Sequence, residues 1–301
     1  MRCFAAVQPA ATIPRAALIQ LAIVVAVFGG AGPVIKLGLM EATPAWLAFW
    51  RALLSALTTA ALVGLRGRLA WPRQRDRPAV VGVGAFQIGL FFVLLHTALA
   101  VVPVGRGVLL CYTTSLWLVP ISAFVLKERV DLHRLAGVAL GLAGVFTLAN
   151  PWEVDWSSAR QLVAHGLLLG AALSWATAIA VLRARPTASP LSDLLPWQFG
   201  LAALMLLPAA ALLEPSGGVT PGPRSGLALA YLGVFGGPVA TWAANSVSRA
   251  LPVLVSSLGF LGVPVVSATL SVAFLGEALT LPLVAGGALI LAGLATLAPR
   301  R

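Results

Sequence analysis

The feature that most constrains this chain is an internal repeat. Residues 126–148 read LKERVDLHRLAGVALGLAGVFTL, and residues 275–297 read LGEALTLPLVAGGALILAGLATL. The stretches align without a gap at an offset of 149, and 12 of the 23 positions are identical. Each places a short polar break, holding Glu128 or Glu277, between two long apolar runs. The offset is close to half of the 301 residues, so the chain reads as two copies of one unit. Duplication in a hydrophobic chain is the pattern of membrane carriers built from repeats.

Composition points to the same solvent. The chain is 59% apolar and 10% charged, where a soluble domain carries about 25% charge. So much apolar surface cannot be hidden in one aqueous globule of this size. Cys3 and Cys111 are too few for a disulfide framework. The net charge of +11 comes from arginines in short loops between apolar segments. That placement reads as a topology signal and not as a nucleic-acid surface.

About 20 apolar residues cross a bilayer. Ten such segments are predicted, over 16–38, 43–64, 79–99, 104–126, 133–150, 164–182, 191–213, 226–247, 252–275 and 280–298. The first is too long for a signal peptide and is read as a retained helix. With the N-terminus in the cytoplasm, 15 of the 20 basic residues fall on the inner side, as the positive-inside rule expects. Both termini are then cytoplasmic, in a cell (inner or plasma) membrane. Five spans per copy is odd, so the second copy must enter from the opposite face. The expected fold is therefore all-α integral membrane: ten transmembrane helices in two inverted five-helix repeats, 16–150 and 164–298. Inverted halves can exchange conformations and open a central site to either side in turn.

The chain resembles the EamA-type drug/metabolite transporters over essentially its whole length, from about Leu18 to Leu297. In the first repeat the resemblance rests on Lys36-Leu-Gly-Leu, Pro44, Arg51, Tyr112-Thr-Thr-Ser-Leu-Trp117 and Leu126-Lys-Glu-Arg129. In the second it rests on Ser174-Trp175, Trp197-Gln198, Pro264 and Leu275-Gly-Glu-Ala278. The family pattern often has a proline where Ser115 stands, and Pro264 takes that place in the second repeat. The resemblance implies ten helices and the movement of small metabolites, including amino acids and their derivatives, mostly outward.

Charges inside spans cost roughly 2.5–3.5 kcal/mol on insertion scales, so each marks a candidate site. Arg51 lies about eight residues into its span, too deep to snorkel. Its guanidinium could grip a carboxylate or phosphate through two parallel bonds, or brace helix-end carbonyls. Gln198 lies near the matching place in the second repeat and offers a neutral amide. Lys36 sits near the outer end of span 1, where snorkelling and solute contact are both open. Arg106, at the start of span 4, carries the same alternatives. His96 corresponds to Asn245; it is a candidate proton shuttle or a helix-to-helix hydrogen bond. Tyr112, Trp117, Trp175, Trp197 and Trp242 are candidate cavity walls, with Tyr112 and Trp175 favoured. Trp46, Trp50, Trp71, Trp152 and Trp156 are expected at the headgroups. The expected binding set is thus Arg51, Tyr112, Trp175, Gln198, His96, Asn245, Trp117 and Lys36.

The glycines of spans 5 and 10, at three- and four-residue spacing, suit close helix packing. These spans are read as scaffold or as homodimer contacts. All nine carboxylates fall in loops or at span ends. Glu128 and Glu277 are expected to serve the first turn of the helix that follows each of them. Carriers driven by protons or sodium often use a buried acid, so coupling through a buried Asp or Glu is not expected.

An intramembrane enzyme would need a catalytic constellation. His96, His133 and His165 are dispersed, and no HExxH or GxSxG motif occurs. No GxxxxGK[ST] loop is present either, and no cofactor or metal is expected. A channel or receptor is the remaining alternative. The leading expectation is a secondary transporter, in the export direction, of small amino-acid-like anionic or zwitterionic solutes in the lipid bilayer.

Overall fold

Long apolar runs leave backbone groups no partner in lipid except their own helix, and among the described residues the regular elements are all helices joined by short turns and loops. The computed structural model describes residues 15–114, 116–118, 120–121, 132–149, 158–251, 256, 259–260 and 262–296. Its helices are α1 (Arg15–Gly38), α2 (Pro44–Leu65), α3 (Gln74–Leu99), α4 (Val104–Cys111), α5 (Leu132–Ala149), α6 (Ala159–Ala184), α7 (Leu191–Leu213), α8 (Pro223–Ala250), α9 (Gly262–Leu275) and α10 (Leu281–Thr296). Six of them, α1, α2, α3, α6, α7 and α8, are long and apolar enough to cross a membrane, and Gly262–Leu275 and Leu281–Gly293 are shorter apolar helices. Large apolar side chains such as Leu204, Leu212 and Phe274 point outward, the surface a multi-pass membrane protein offers to lipid.

The halves are related by an inverted two-fold. Helix α5 packs on α10, and α2 on α7. The pair α1–α9 is matched by α6–α4, α1–α8 by α6–α3, and α2–α8 by α7–α3. The list is unchanged when the halves are exchanged. Inversion shows at the ends. Ala17, at the start of α1, packs with Val247 and Leu251 at the end of α8. Ala45, at the start of α2, bonds Glu214 at the end of α7. One face therefore gathers Arg66, Arg68, Arg73, Arg75 and Arg77 with the ends of α6 and α8. The opposite face gathers Glu41, Glu214 and Glu277. These are called the basic and acidic faces below.

Several helices overrun the expected spans. Helix α3 begins at Gln74 where 79 is expected, α6 at Ala159 where 164 is expected, and α8 runs Pro223–Ala250 where 226–247 is expected. Polar first and last turns continue a helix past the hydrocarbon, where a hydropathy window stops. Helix α4 is instead cut short. Thr113 Oγ1 donates to the Leu110 carbonyl at 2.6 Å and Thr114 Oγ1 to the Cys111 carbonyl at 2.7 Å. Such back-bonding competes with the helical ladder, and Tyr112–Thr113 form a turn before helix resumes.

Both halves also carry a π-helical stretch, Gly82–Leu90 in α3 and Ala230–Gly236 in α8. Wide turns of this kind recur at functional sites. A serine of the opposite half meets a carbonyl in each: Ser174 Oγ donates to Phe86 O and Ser55 Oγ to Gly233 O, both at 2.7 Å. Gly84 lets α3 close on α7, since a Cβ there would stand 2.7 Å from the Gln198 carbonyl oxygen.

The small residues of α5 and α10 are used on each other. A Cβ at Gly144 would meet Ile290 and the Gly286 carbonyl, and one at Gly293 would meet Gly137 and Gly141. Ser115, the Leu126–Arg129 motif with Glu128, Trp152 and Trp156 lie outside the described residues.

Candidate functional site

The described carboxylates do not serve the helices that follow them; they tie one half to the other. Glu277 is the clearest case. Gly276 ends α9 with φ of +66°, the left-handed cap that glycine adopts without strain. The turn delivers the Glu277 carboxylate to the start of α4, where Val104 N–H donates at 2.6 Å and Gly105 N–H at 3.0 Å. The sequence reading assigned this acid to α10. A carboxylate favours any positive helix end within reach, and the one within reach belongs to the other repeat. Glu214 likewise accepts from Ala45 and Trp46 N–H at the start of α2. Glu41 accepts from Ser225 N–H at 2.8 Å, in the first turn of α8. On the basic face Asp76 accepts from Ala188 and Ser189 N–H, and Asp193 pairs with Arg68 at 2.8 Å.

Between these clamped faces lies a cavity of about 110 Å³. Its walls are Val24, Phe28, Gly32 and Ile35 of α1, Arg51 of α2, Gln87, Phe91, Phe92, Leu95 and Leu99 of α3, Val108 and Cys111 of α4 with Tyr112, Trp175, Ile179 and Arg183 of α6, and Thr241, Ala244 and Ser248 of α8, with Ser256, Phe260 and Val263. It reaches Arg183, Ser248 and Ser256 toward the basic face. It stops toward the acidic face at Ile35 and Leu99.

Arg51 is the deepest charge in this wall. It starts seven residues into α2, about 10 Å below the helix start at 1.5 Å per residue, and is 3% exposed. Its guanidinium carbon lies 3.8 Å from the centroid of the Phe92 ring, a cation–π seat. Nη1 lies 3.2 Å from His96 Nε2. A guanidinium can only donate, so His96 Nε2 accepts and the ring proton sits on Nδ1. The His96 ring stacks on Phe92 at 5° between planes. His96 therefore stands behind Arg51 and orients it. A second cation at this distance would be repelled, which weighs against a shuttling role. Nε of Arg51 is buried and has no hydrogen-bond partner among the described residues.

Tyr112 and Trp175 line the cavity. The α4 turn carries Tyr112 there. Trp175 meets Phe91 and Phe28 edge-on, with centroids 4.7 Å and 5.7 Å apart. The other candidates stand elsewhere. Gln198 is fully buried between α7 and α3, with Nε2 3.5 Å from the Ala79 carbonyl. Asn245 is buried in α8 outside the wall, where Ala244 and Ser248 stand instead. Trp117 packs beside Leu118, Ala176 and Ile179. Lys36 neither snorkels nor faces the cavity: Nζ donates to the Leu99 carbonyl at 2.7 Å and approaches that of Val102 at 3.5 Å. It thus caps the end of α3, where a cation suits the carbonyls. Trp197 donates to Ala70 O at the basic face and packs on Trp71.

Sequence reasoning passed over Gln87. It is 2% exposed, in the cavity wall, and neither side-chain polar atom has a partner among the described residues. The available signal was a single amide inside VGVGAFQIGLFFVLL, weaker than a charge.

An all-helical, inverted two-repeat membrane fold around a central apolar cavity is the build of a solute transporter. A family model for the EamA-like transporter family matches residues 15–150 and 162–298, and the chain belongs to that family. The chain is 27% identical over 276 residues to a probable terminal-alkyne amino-acid exporter of Streptantibioticus cattleyicolor, covering 91% of this chain and 90% of the relative. It is 29% identical to a probable amino-acid metabolite efflux pump of Salmonella typhimurium, covering 90% and 91%. A solved crystal structure matches with a TM-score of 0.65 at 23% identity, over 95% of this chain and 98% of its own, and supports the fold. The family is one of transporters and not of enzymes.

Proposed function

We propose that the protein is a secondary exporter of small amino-acid-like solutes, working by alternating access across the cell membrane with both termini in the cytoplasm. Arg51 carries this reading. It is a buried guanidinium in the wall of an apolar, aromatic cavity in which no described lining residue is acidic. Such a site takes a carboxylate as its counter-charge and an apolar body as its filling. Tyr112, Trp175, Phe91 and Phe28 face that body. The two relatives named for amino-acid export support the same class.

The solute enters from the basic face, toward which the cavity extends. The two repeats, 16–150 and 164–298, then rock about the cavity. The acidic-face bonds of Glu41, Glu214, Glu277 and Lys36 must loosen for release. A solute promotes this only by binding the intermediate better than the end states. No described carboxylate lies mid-span, so flux is read as exchange or facilitated efflux.

The test is direct. Wild type and Arg51→Ala are expressed at matched membrane levels, and the spent media are compared by untargeted mass spectrometry. A carboxylate-bearing metabolite enriched only by wild type is the expected result. Equal enrichment from both would remove Arg51 from the site, and enrichment of organic cations would overturn the solute class.

A further inference from the structure

We infer that Gln87 is the specificity-determining residue for the solute's ammonium group, so that the cavity selects a zwitterionic α-amino acid with an apolar side chain over the matching simple carboxylate. The inference rests on the reading of Arg51 as the carboxylate's partner.

Gln87 is 2% exposed and lies in the cavity wall, and both its amide nitrogen and its amide oxygen are buried without a hydrogen-bond partner among the described residues. A buried amide with both ends open is costly, and each such group in a folded protein calls for an explanation. A solute that supplies the missing bonds is one. The amide oxygen only accepts and the amide nitrogen only donates, so the pair matches an ammonium beside a carboxylate.

Local structure holds this amide in place. Gln87 is inside the π-helical stretch Gly82–Leu90. Phe91 and Phe92 follow directly on that stretch, and Gln87, Phe91 and Phe92 all line the cavity. Phe92 is the ring that seats the Arg51 guanidinium. The residue before Gln87 is pinned from the other half, by Ser174 Oγ on the Phe86 carbonyl at 2.7 Å. The Arg51 guanidinium, its Nε–H buried and open, reaches Phe92 from α2, and the Gln87 amide stands on α3 shortly before Phe92, so both belong to the same cavity wall.

A neutral acceptor is what this wall needs. A carboxylate at position 87 would neutralise Arg51 itself and compete with the solute. With no acid among the described lining residues, the ammonium has to be met by oxygen dipoles, and Gln87 Oε1 is a buried acceptor that nothing described satisfies.

The experiment uses the full-length protein, purified in detergent. Its thermal stabilisation is titrated with L-phenylalanine and L-leucine, and with 3-phenylpropanoate and 4-methylpentanoate, which lack only the amino group. Wild type is expected to bind each amino acid at least about ten-fold more tightly than its deaminated analogue, a difference of ~1.4 kcal/mol. In Gln87→Leu the amino-acid affinity should fall to that of the analogue, while the analogue keeps its wild-type affinity. Gln87→Asn should fall between them and guards against a leucine variant that does not fold. Gln87→Glu should lose the analogues altogether. Equal wild-type affinities for amino acid and analogue would overturn the inference and leave the carboxylate site at Arg51 standing. So would a preference that survives in Gln87→Leu, or loss of the analogues in both Gln87→Leu and Gln87→Asn. If neither class stabilises wild type, the reading of the site as a carboxylate site falls, and the inference falls with it.

Discussion

Arg51 and Gln198 occupy matching places on α2 and α7, each directly after a tryptophan, Trp50 or Trp197. Arg51 opens onto the cavity, seated on Phe92 and held by His96. Gln198 is sealed between α7 and α3 beside the Ala79 carbonyl. The same contrast recurs along the halves. Gln87 faces the cavity from α3, and the residue at an offset of 149 is Gly236, which has no side chain to offer. His96 braces the arginine, while Asn245 lies outside the wall. The second half contributes Trp175, hydroxyls such as Thr241 and Ser248, and Arg183 at the basic-face end of the cavity. Exchange of conformations needs matching scaffolds, so packing is shared by both halves. Only Arg51 is a fully buried charge in the wall, while Arg183 is half-buried toward the basic face, and a second deep cation would add desolvation cost. Duplication has kept the frame two-fold and let the chemistry become one-sided.

The largest expected effect tests this one-sidedness. Arg51→Ala should lower transport efficiency roughly 100-fold, near the ~3 kcal/mol of a buried charged partner removed. Gln198→Leu should keep wild-type flux and lose only about 1 kcal/mol of stability. The exchange variant, Arg51→Gln with Gln198→Arg, should stay inactive, because position 198 does not reach the cavity. Activity in the exchange variant would mean that the two places are equivalent after all.

Next come the clamps. Glu277→Ala removes a carboxylate from two N–H groups at the start of α4 and should cost about 2 kcal/mol, seen as a lower unfolding temperature in detergent. Its solute affinity should hold. A changed affinity with unchanged stability would make Glu277 part of the site instead of the frame.

The serines that meet the π-helical stretches give a finer comparison. Ser174→Ala and Ser55→Ala should each cost about 1 kcal/mol. Only Ser174→Ala should also raise KM, since only its stretch carries a cavity amide. Equal KM values would separate the π-helical geometry from binding.

The smallest effect is a pH dependence. The Ser225 N–H holds the Glu41 carboxyl below its ordinary value. Such a group stabilises the fold at and above the ordinary glutamate range and loses that contribution as pH falls through its lowered value. The difference in unfolding temperature between wild type and Glu41→Gln should therefore be present at neutral pH and vanish in acid. A difference constant across that range would show that the carboxylate charge plays no part.

What could be read from residues alone follows from these contrasts. The repeat and the apolar runs are local patterns, so the helices and their two-fold arrangement were legible. Arg51 was legible because a charge deep in a span is costly wherever it points. Direction was not. Gln198 matched Arg51 in position, yet the Gly84 approach of α3 to α7 encloses it. Lys36 had two readings and takes neither, because its partners are carbonyls 63 and 66 residues away. Gln87 gave little signal, since a neutral amide inside a span is cheap if paired, and pairing is a property of the fold. The π-helical stretches leave no mark in an apolar run, whose period they change without changing its composition.

The cross-repeat carboxylates have a consequence for the order of synthesis. Every described Asp and Glu side chain binds a group in the other half, and each of those bonds needs a residue numbered 188 or higher. While the ribosome is still making the second repeat, the first sits in the bilayer with the starts of α2 and α4 uncapped. The last of these bonds closes only when Glu277 has left the ribosome, with α10 still to emerge. The nascent first repeat is thus a species that must be kept from wrong partners until its own second copy arrives.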